Sequence, residues 1–328
     1  MKESDSDYFG VLNCQYILMH EIGDGGSSKV YKSFDYFTEE EYAIKVFDDT
    51  SSSMEREILF NKIITRSQSP FFVKYISSSS GYLVTDKTHY FKNYIIFELA
   101  SKGDIFEYIN CGSKGFSEQN CKVMIYKIII PIQALHKMGI CHRDIKPQNI
   151  LFFGENFEIK ICDFGLSSII YGKSGKNLIR GIVGTKGYQA PEIIEGKDYD
   201  GEKADIFSLG VLLFNLLNGI PPFITAEIIN KGIIQEQLYK YINKNSDLYW
   251  KTMRLTGLSL EFKKLFIRMV AYNPNKRPTI KEILNDDWLK EITNLKPDEF
   301  KIYEENLIKE LKKREEIIKE KGQNNLSK

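Results

Sequence analysis

Apolar and polar side chains alternate from Glu41 to Phe47, which predicts a strand with one face buried. The apolar run from Tyr16 to Met19 predicts an earlier strand, and Tyr94 to Ala100 a later one. A helical pattern begins near Met54, where Phe60 and Ile64 follow Glu57 on one face. Ser69 to Tyr75 ends that helix and opens another strand; Ser77 to Gly81 reads as an extended hairpin turn, because strand pattern resumes at Tyr82. Ser117 with Glu118 and Gln119 makes a helix start. Cys121, Met124, Ile125, Ile128, Ile129, Ile132 and Leu135 then keep helical spacing, interrupted by Pro131, which should kink the helix or remove a backbone bond. Asp205 heads a further apolar helix to Leu217. Residues 1–15 are polar and short of pattern, a loose arm. After Pro297, the residues Phe300, Tyr303, Leu307, Leu311 and Ile318 fall on one stripe of a charged helix in the tail 290–328.

With 328 residues the chain is long enough for one large or two modest domains with a real core. Apolar content of 42% and charged content of 27% place it among soluble globular proteins rather than disordered or membrane-spanning ones. The formal net charge of +1 gives no bulk field to attract nucleic acid or a membrane surface. The longest apolar runs are too short to span a bilayer, and Met1 to Asp5 carries neither a signal core nor a myristoylation glycine. The expectation is a soluble intracellular protein, cytoplasmic by default, with the nucleus left open. The cysteines Cys14, Cys111, Cys121, Cys141 and Cys162 are odd in number and scattered, which fits small buried hydrophobes better than a disulfide or metal framework.

The chemistry concentrates between His142 and Gly165, which reads His142-Arg143-Asp144-Ile145-Lys146-Pro147-Gln148-Asn149 and closes on Asp163-Phe164-Gly165. Two carboxylates, an amide and an ammonium at this spacing suit phosphoryl transfer, which needs a base, metal ligands and positive charge facing the moving group. This stretch resembles the catalytic loop and metal-binding segment of the eukaryotic protein kinases. The resemblance implies an α+β fold of two lobes: a small five-stranded sheet lobe with one helix over 16–98, and a larger, mainly helical lobe over 101–289. It also implies ATP and Mg2+. Asp144 would accept or orient the substrate hydroxyl proton, Lys146 would contact the transferring phosphate, and Asn149 and Asp163 would hold magnesium through hard oxygen donors.

Upstream, Ile22, Gly23, Gly25, Gly26, Ser28 and Val30 belong to a glycine-rich segment whose N–H groups can close over phosphates. The family carries a third glycine where this chain has Ser28. Lys45, in Ala43-Ile44-Lys45, stands where relatives pair phosphates and a helix glutamate. Here either Glu57 or Glu55 serves as partner, with Glu57 favoured by its face. By resemblance Phe97 backs the adenine pocket, which Ala43 and Leu151 help to form, while the Glu98 carbonyl and Ala100 backbone pair with the adenine edge. Asp104 would lie near the ribose, and Cys162 on the floor of the nucleotide site.

Leu166 to Gln189 corresponds to the family's activation loop. Thr185 would bond near the base and lysine. Arg143 grips a loop phosphate in many relatives, but the usual acceptor position is Gly181, so Ser174, Ser167 or Ser168 substitutes or the loop needs no phosphate; the second reading is favoured. Asp205 would brace the catalytic-loop backbone, and Arg277 would pair with Glu192. Lys146 with Thr185 points to the serine/threonine branch, nearest the calcium/calmodulin-dependent group, and Leu166 to serine over threonine as acceptor. Gln148 and Asn215 stand where arginine-directed relatives carry acids, so a strong arginine requirement is not expected. The tail helix packs on the domain, meets a partner, or regulates the site. No calcium-binding loop pattern follows the domain. The rival reading from another class is a pseudokinase acting as a nucleotide-binding or scaffolding module, yet Lys45, Asp144, Asn149 and Asp163 are all present.

Overall fold

The structure, a computed structural model, describes residues 8–48, 52–86, 88–112, 114–172, 175–226 and 234–326. The chain divides into two units: Met1–Ser101 with Cys162–Gly165, and Lys102–Ile161 with Leu166–Lys328.

The first unit is a sheet closed into a barrel with one helix. Its strands are β1 (Gly10–Leu12), β2 (Tyr16–Gly25), β3 (Ser28–Asp35), β4 (Glu41–Phe47), β5 (Tyr75–Val84) and β6 (His89–Glu98), and its helix is α1 (Ser52–Arg66). The order β1-β2-β3-β4-β6-β5 is antiparallel throughout, and β1 closes the ring on β5. Alternation sends Leu18, Tyr31, Ile44, Val46, Tyr94 and Ile96 inward to one core.

Two expectations are corrected here. Residues 10–12 are a sixth strand rather than part of a loose arm: Leu12 is fully buried in the barrel core, and Val11 and Leu12 pair with Val84 and Leu83. Burial of Leu12 and two ladders of backbone bonds hold a segment too short to show a pattern of its own. Ser77 to Gly81 is not a turn either; it lies within β5, paired residue by residue with Lys92 to Ile96 on β6. Backbone bonding carries that stretch, and Gly81 leaves room for the Asn13 side chain, which a Cβ would meet at 2.6 Å.

The second unit is mainly helical. It opens with α2 (Ile105–Asn110), capped by Asp104, and α3 (Glu118–Lys137), capped by Ser117, whose side chain accepts from Asn120 N–H. The helix runs through Pro131 without a break, and its predicted apolar positions are all buried. Six short strands follow: β7 (Ile140–Cys141), β8 (Ile150–Phe153), β9 (Glu158–Ile161), β10 (Ser168–Ile169), β11 (Tyr171–Gly172) and β12 (Gly175–Lys176), paired as β8 with β9, β10 with β7 and β11 with β12. Then come α4 (Pro191–Ile194), α5 (Gly201–Asn218), α6 (Ile234–Lys244), α7 (Ser246–Met253), α8 (Leu260–Met269), α9 (Ile280–Leu284), α10 (Lys290–Thr293) and α11 (Pro297–Leu326). Helix α5 is buried without a gap from Ala204 to Leu217, so it runs through the middle of the unit. Phe214 on it meets Phe266 at 4.9 Å, and Phe262 meets Trp288 at 5.8 Å.

Helix α11 packs on α3 and α2, so of the three roles open to the tail, packing on the domain is the arrangement found. Leu307 and Leu311 are buried. The Arg314 guanidinium lies 3.9 Å from the centre of the Phe116 ring and donates to the carbonyls of Tyr108 and Gly115 at 2.8 and 2.9 Å. Lys102 pairs with Glu315 at 3.1 Å and Lys127 with Glu304 at 2.5 Å.

Candidate active site

The predicted residues gather into two clusters, one in each unit. In the sheet unit, burying Ile44 and Val46 turns Lys45 to the opposite face of β4. Its ammonium lies 2.9 and 2.8 Å from the two Glu57 oxygens and 2.9 Å from Asp163 Oδ1. Glu57 is the partner and Glu55 is exposed, as the shared face with buried Phe60 and Ile64 requires. Burial works against the Lys45 charge, but Asp163 and Glu57 outweigh it and hold the ammonium above its ordinary range. Burial also pushes the Glu57 carboxyl up, to about 7; Lys45 opposes this and Asp163 adds to it. Asp163 adopts a left-handed backbone, φ 65°, and a Cβ on Gly165 would crowd Glu57 Oε2 at 3.2 Å. Phe164 is buried, edge-on to Phe72 at 5.8 Å, which anchors the segment to this unit.

The glycine-rich segment is the β2–β3 hairpin: Gly25 pairs with Ser28 across Gly26 and Ser27, and Gly23 pairs with Val30. Ser28 is buried, so the departure from the family's glycine is packed rather than left open. Ile22 is 44% exposed at this end of β2. Ala43 pairs with Phe97, whose ring meets Tyr75 at 6.3 Å, and Tyr42 pairs with Glu98. Glu98 exchanges backbone and side-chain bonds with Lys74, which fixes the end of β6 before Ala100. Cys162, the candidate floor residue, is half-buried and forms no disulfide.

In the helical unit the centre is Asp144. Its Oδ1 accepts from Thr185 N–H at 2.9 Å and Thr185 Oγ1 at 2.7 Å, and its Oδ2 lies 2.8 Å from Lys146 Nζ. Lys146 also donates to Thr185 Oγ1 at 2.8 Å. Asn149 turns its amide nitrogen toward Asp144, donating to the backbone oxygen at 2.8 Å and the carboxylate at 3.2 Å, so its amide oxygen faces away. Asp205, wholly buried, accepts from His142 N–H at 2.9 Å and Arg143 N–H at 2.8 Å and so fixes the loop that carries Asp144. Arg143 stands at φ 68°, and its guanidinium is taken up by the Leu166 carbonyl and the Tyr199 hydroxyl at 2.5 and 3.0 Å. Ser167 is buried, Ser168 is half-buried on β10, and Ser174 lies outside the described residues. Asp104 caps α2 through Glu107 N–H at 3.1 Å and bridges Leu151; burial raises its carboxyl.

Sequence reasoning did not single out His136, whose Nε2 sits 2.8 Å from Asp205 Oδ2, or Tyr199 beside Arg143. Their roles come from partners far along the chain, and neither residue stands in a motif. The described residues hold no helix long and apolar enough to cross a membrane.

A sheet unit centred on a lysine–glutamate pair and a helical unit centred on a clamped aspartate define a kinase-like phosphotransferase architecture. The protein kinase domain family matches residues 16–289, and the chain belongs to that family. It is 31% identical over 300 residues to CBL-interacting protein kinase 30 of Oryza sativa subsp. japonica, covering 89% of this chain and 57% of the relative. It is 33% identical over 288 residues to the SNF-related serine/threonine-protein kinase of Homo sapiens, covering 86% of this chain and 34% of the relative. It is 36% identical over 200 residues to a calcium and calcium/calmodulin-dependent serine/threonine-protein kinase of Pisum sativum, covering 60% of this chain and 35% of that one. These relatives bear out the placement nearest the calcium/calmodulin-dependent group, and the chain spans little more than half of their length or less.

Proposed function

We propose that the chain is a serine/threonine protein kinase that transfers the terminal phosphoryl group of ATP to a protein hydroxyl in intracellular signalling. The observation that carries this is the Asp144–Lys146–Thr185 triangle, with every edge between 2.7 and 2.8 Å. A carboxylate held this way can take the proton of a substrate alcohol, and the ammonium beside it can meet the negative charge of the transferring group.

The donor set fits a divalent hard cation shared with phosphate. Asp163 offers a carboxylate, and the amide oxygen of Asn149 is turned away from Asp144. Among the described residues no three His, Cys, Asp or Glu side chains form an ion site unaided, so the phosphates would complete the ligand set. The ion, when bound, supplies charge neutralisation at those oxygens. Lys45, steadied by Glu57, holds the inner phosphates, and the N–H groups of Gly23, Gly25, Gly26 and Ser28 close over them. Ile22, Val30, Ala43 and Leu151 surround the base and Phe97 backs it, while the Glu98 carbonyl and Ala100 read its edge and Asp104 the ribose.

Arg143, already bonded to Leu166 and Tyr199, supports a loop that holds its shape without phosphate. Leu166 after the Asp163-Phe164-Gly165 turn supports serine over threonine as acceptor. The test is radiolabelled ATP with a generic protein substrate in magnesium buffer. Wild type transfers label, and Asp144→Asn lowers the rate by about 10²–10⁴-fold. Folded wild type that turns over no nucleotide would leave the scaffold reading in its place.

A further inference from the structure

The helical unit carries a cavity of about 310 Å³ where the end of α3, the first turn of α5 and the start of α9 meet. Each helix contributes one lysine to its wall: Lys137, Lys203 and Lys281. Among the described residues none of the three is in an ion pair; Lys203 donates to the Arg277 carbonyl at 2.6 Å, which leaves its charge whole. The carboxylates close by are already engaged. Glu202, which also lines the cavity, accepts from Lys176 at 2.5 Å, and Glu282 accepts from the Thr279 N–H and hydroxyl at 2.7 and 2.8 Å. Like charges gathered around one hollow repel each other, and an anion entering it relieves that repulsion.

A second observation points the same way. His136 lines the cavity and is 8% exposed. Its Nε2 sits 2.8 Å from Asp205 Oδ2, and among the described residues its Nδ1 has no partner, so one ring nitrogen remains for an occupant. Buried polar groups are ordinarily bonded. The remaining wall is largely apolar, with buried Ile206, Pro278 and Ile280 and the exposed Tyr171.

We infer that this cavity binds a small phosphate monoester carrying a ring or short apolar chain, and that its occupancy is felt at the catalytic loop through His136 and Asp205. Lysine meets phosphate as a point charge with three donors, and a dianion answers several ammonium groups where a carboxylate answers one. The volume lies at the lower end of ligand-pocket sizes, about 300–1,000 Å³, and suits a single ring with its phosphate. Asp205 accepts from His142 N–H at 2.9 Å and Arg143 N–H at 2.8 Å, directly before Asp144. A ligand bonded to Nδ1 polarises the ring and so alters the bond that His136 gives this same carboxylate. The inference rests on the helical unit alone and stands apart from the kinase reading.

NMR titration with phenyl phosphate tests it, with a non-hydrolysable ATP analogue and Mg2+ present in excess so that the nucleotide site is filled. Wild type is compared with the double variant Lys137→Gln, Lys281→Gln, both exposed positions outside the Asp144 and Lys45 clusters. The backbone N–H signals of His142 and Arg143 are expected to move as wild type saturates, and the double variant should bind at least tenfold more weakly. Inorganic phosphate and N-acetyl-phosphoserine amide, which lack the ring, should each bind at least threefold more weakly than phenyl phosphate. Benzoate, with the ring and a single charge, should do the same. Equal affinity in the double variant, no binding to wild type, or His142 and Arg143 signals that stay still at saturation overturns the inference. So does any of the three comparison anions binding as tightly as phenyl phosphate. None of these results bears on the kinase reading, which the Asp144→Asn assay decides.

Discussion

Each unit buries an ion pair, and the two are built differently. In the helical unit Arg277 meets Glu192 through two parallel bonds of 2.6 and 2.7 Å and donates to the carbonyls of Ala271 and Lys203 at 2.8 and 2.9 Å. One cation faces one carboxylate, and the remaining donors find backbone oxygens. In the sheet unit one ammonium faces two carboxylates, Glu57 and Asp163. The matched pair is a brace with nothing left to bind. In the unmatched cluster two carboxylates share one ammonium, and burial makes the charged form of Glu57 costly.

The largest effect should come from breaking the brace. Arg277→Ala strands Glu192 in a site that is almost dry, so the helical unit should lose about 3–5 kcal/mol in denaturant unfolding. A loss under about 1 kcal/mol would erase the contrast between the two pairs.

The unmatched cluster should instead announce itself through pH. The Glu57 carboxyl sits at about 7 in the folded state against an ordinary 4.5, so the folded protein keeps a proton that the unfolded chain releases. The stability contributed by protonated Glu57 is therefore intact below about pH 4.5 and lost as pH rises through 7. Glu57→Gln removes this dependence. The stability of wild type relative to the variant should fall by up to about 3 kcal/mol across that window, read from paired melting curves. A difference that is flat in pH, or rises, would mean the cluster is balanced after all.

Arg314 lies between the two designs, because its guanidinium combines Glu310 at 2.8 Å with backbone carbonyls and the Phe116 face. Arg314→Ala should cost about 2 kcal/mol and loosen α11, seen as faster amide exchange along 297–326. Unchanged exchange would show that Leu307 and Leu311 alone hold the helix.

Much of the site could be read in advance because its chemistry is local in sequence: Asp144, Lys146, Asn149 and Asp163 fall on two neighbouring loops. Lys45 came from the resemblance, on a strand that alternation predicts, and the preference for Glu57 from helical arithmetic. What stayed hidden depends on residues far apart. Strand β1 exists because Leu12 reaches a core built by other strands, and β5 runs through four serines because a ladder bonds backbone to backbone. His136 and Tyr199 take their roles from Asp205 and Arg143, which no spacing along the chain brings near.

The smallest expected effect concerns the third charged group, the Asp144 carboxylate, which is clamped by neutral and cationic donors rather than by a second acid. Thr185 gives it both a backbone N–H and a hydroxyl, and the hydroxyl also takes the Lys146 ammonium. Thr185→Ser keeps all of these bonds and should leave kcat within about twofold, whereas Thr185→Ala removes the hydroxyl and should lower kcat about tenfold, near 1.4 kcal/mol. KM for ATP should move little in either variant, since the bonds Thr185 makes are to Asp144 and Lys146. If alanine matches serine, the backbone N–H and Lys146 suffice to set Asp144. The Asp144 carboxylate would then be held by charge, as the Arg277 brace is, and not by the hydroxyl that joins it to the loop ending at Pro191.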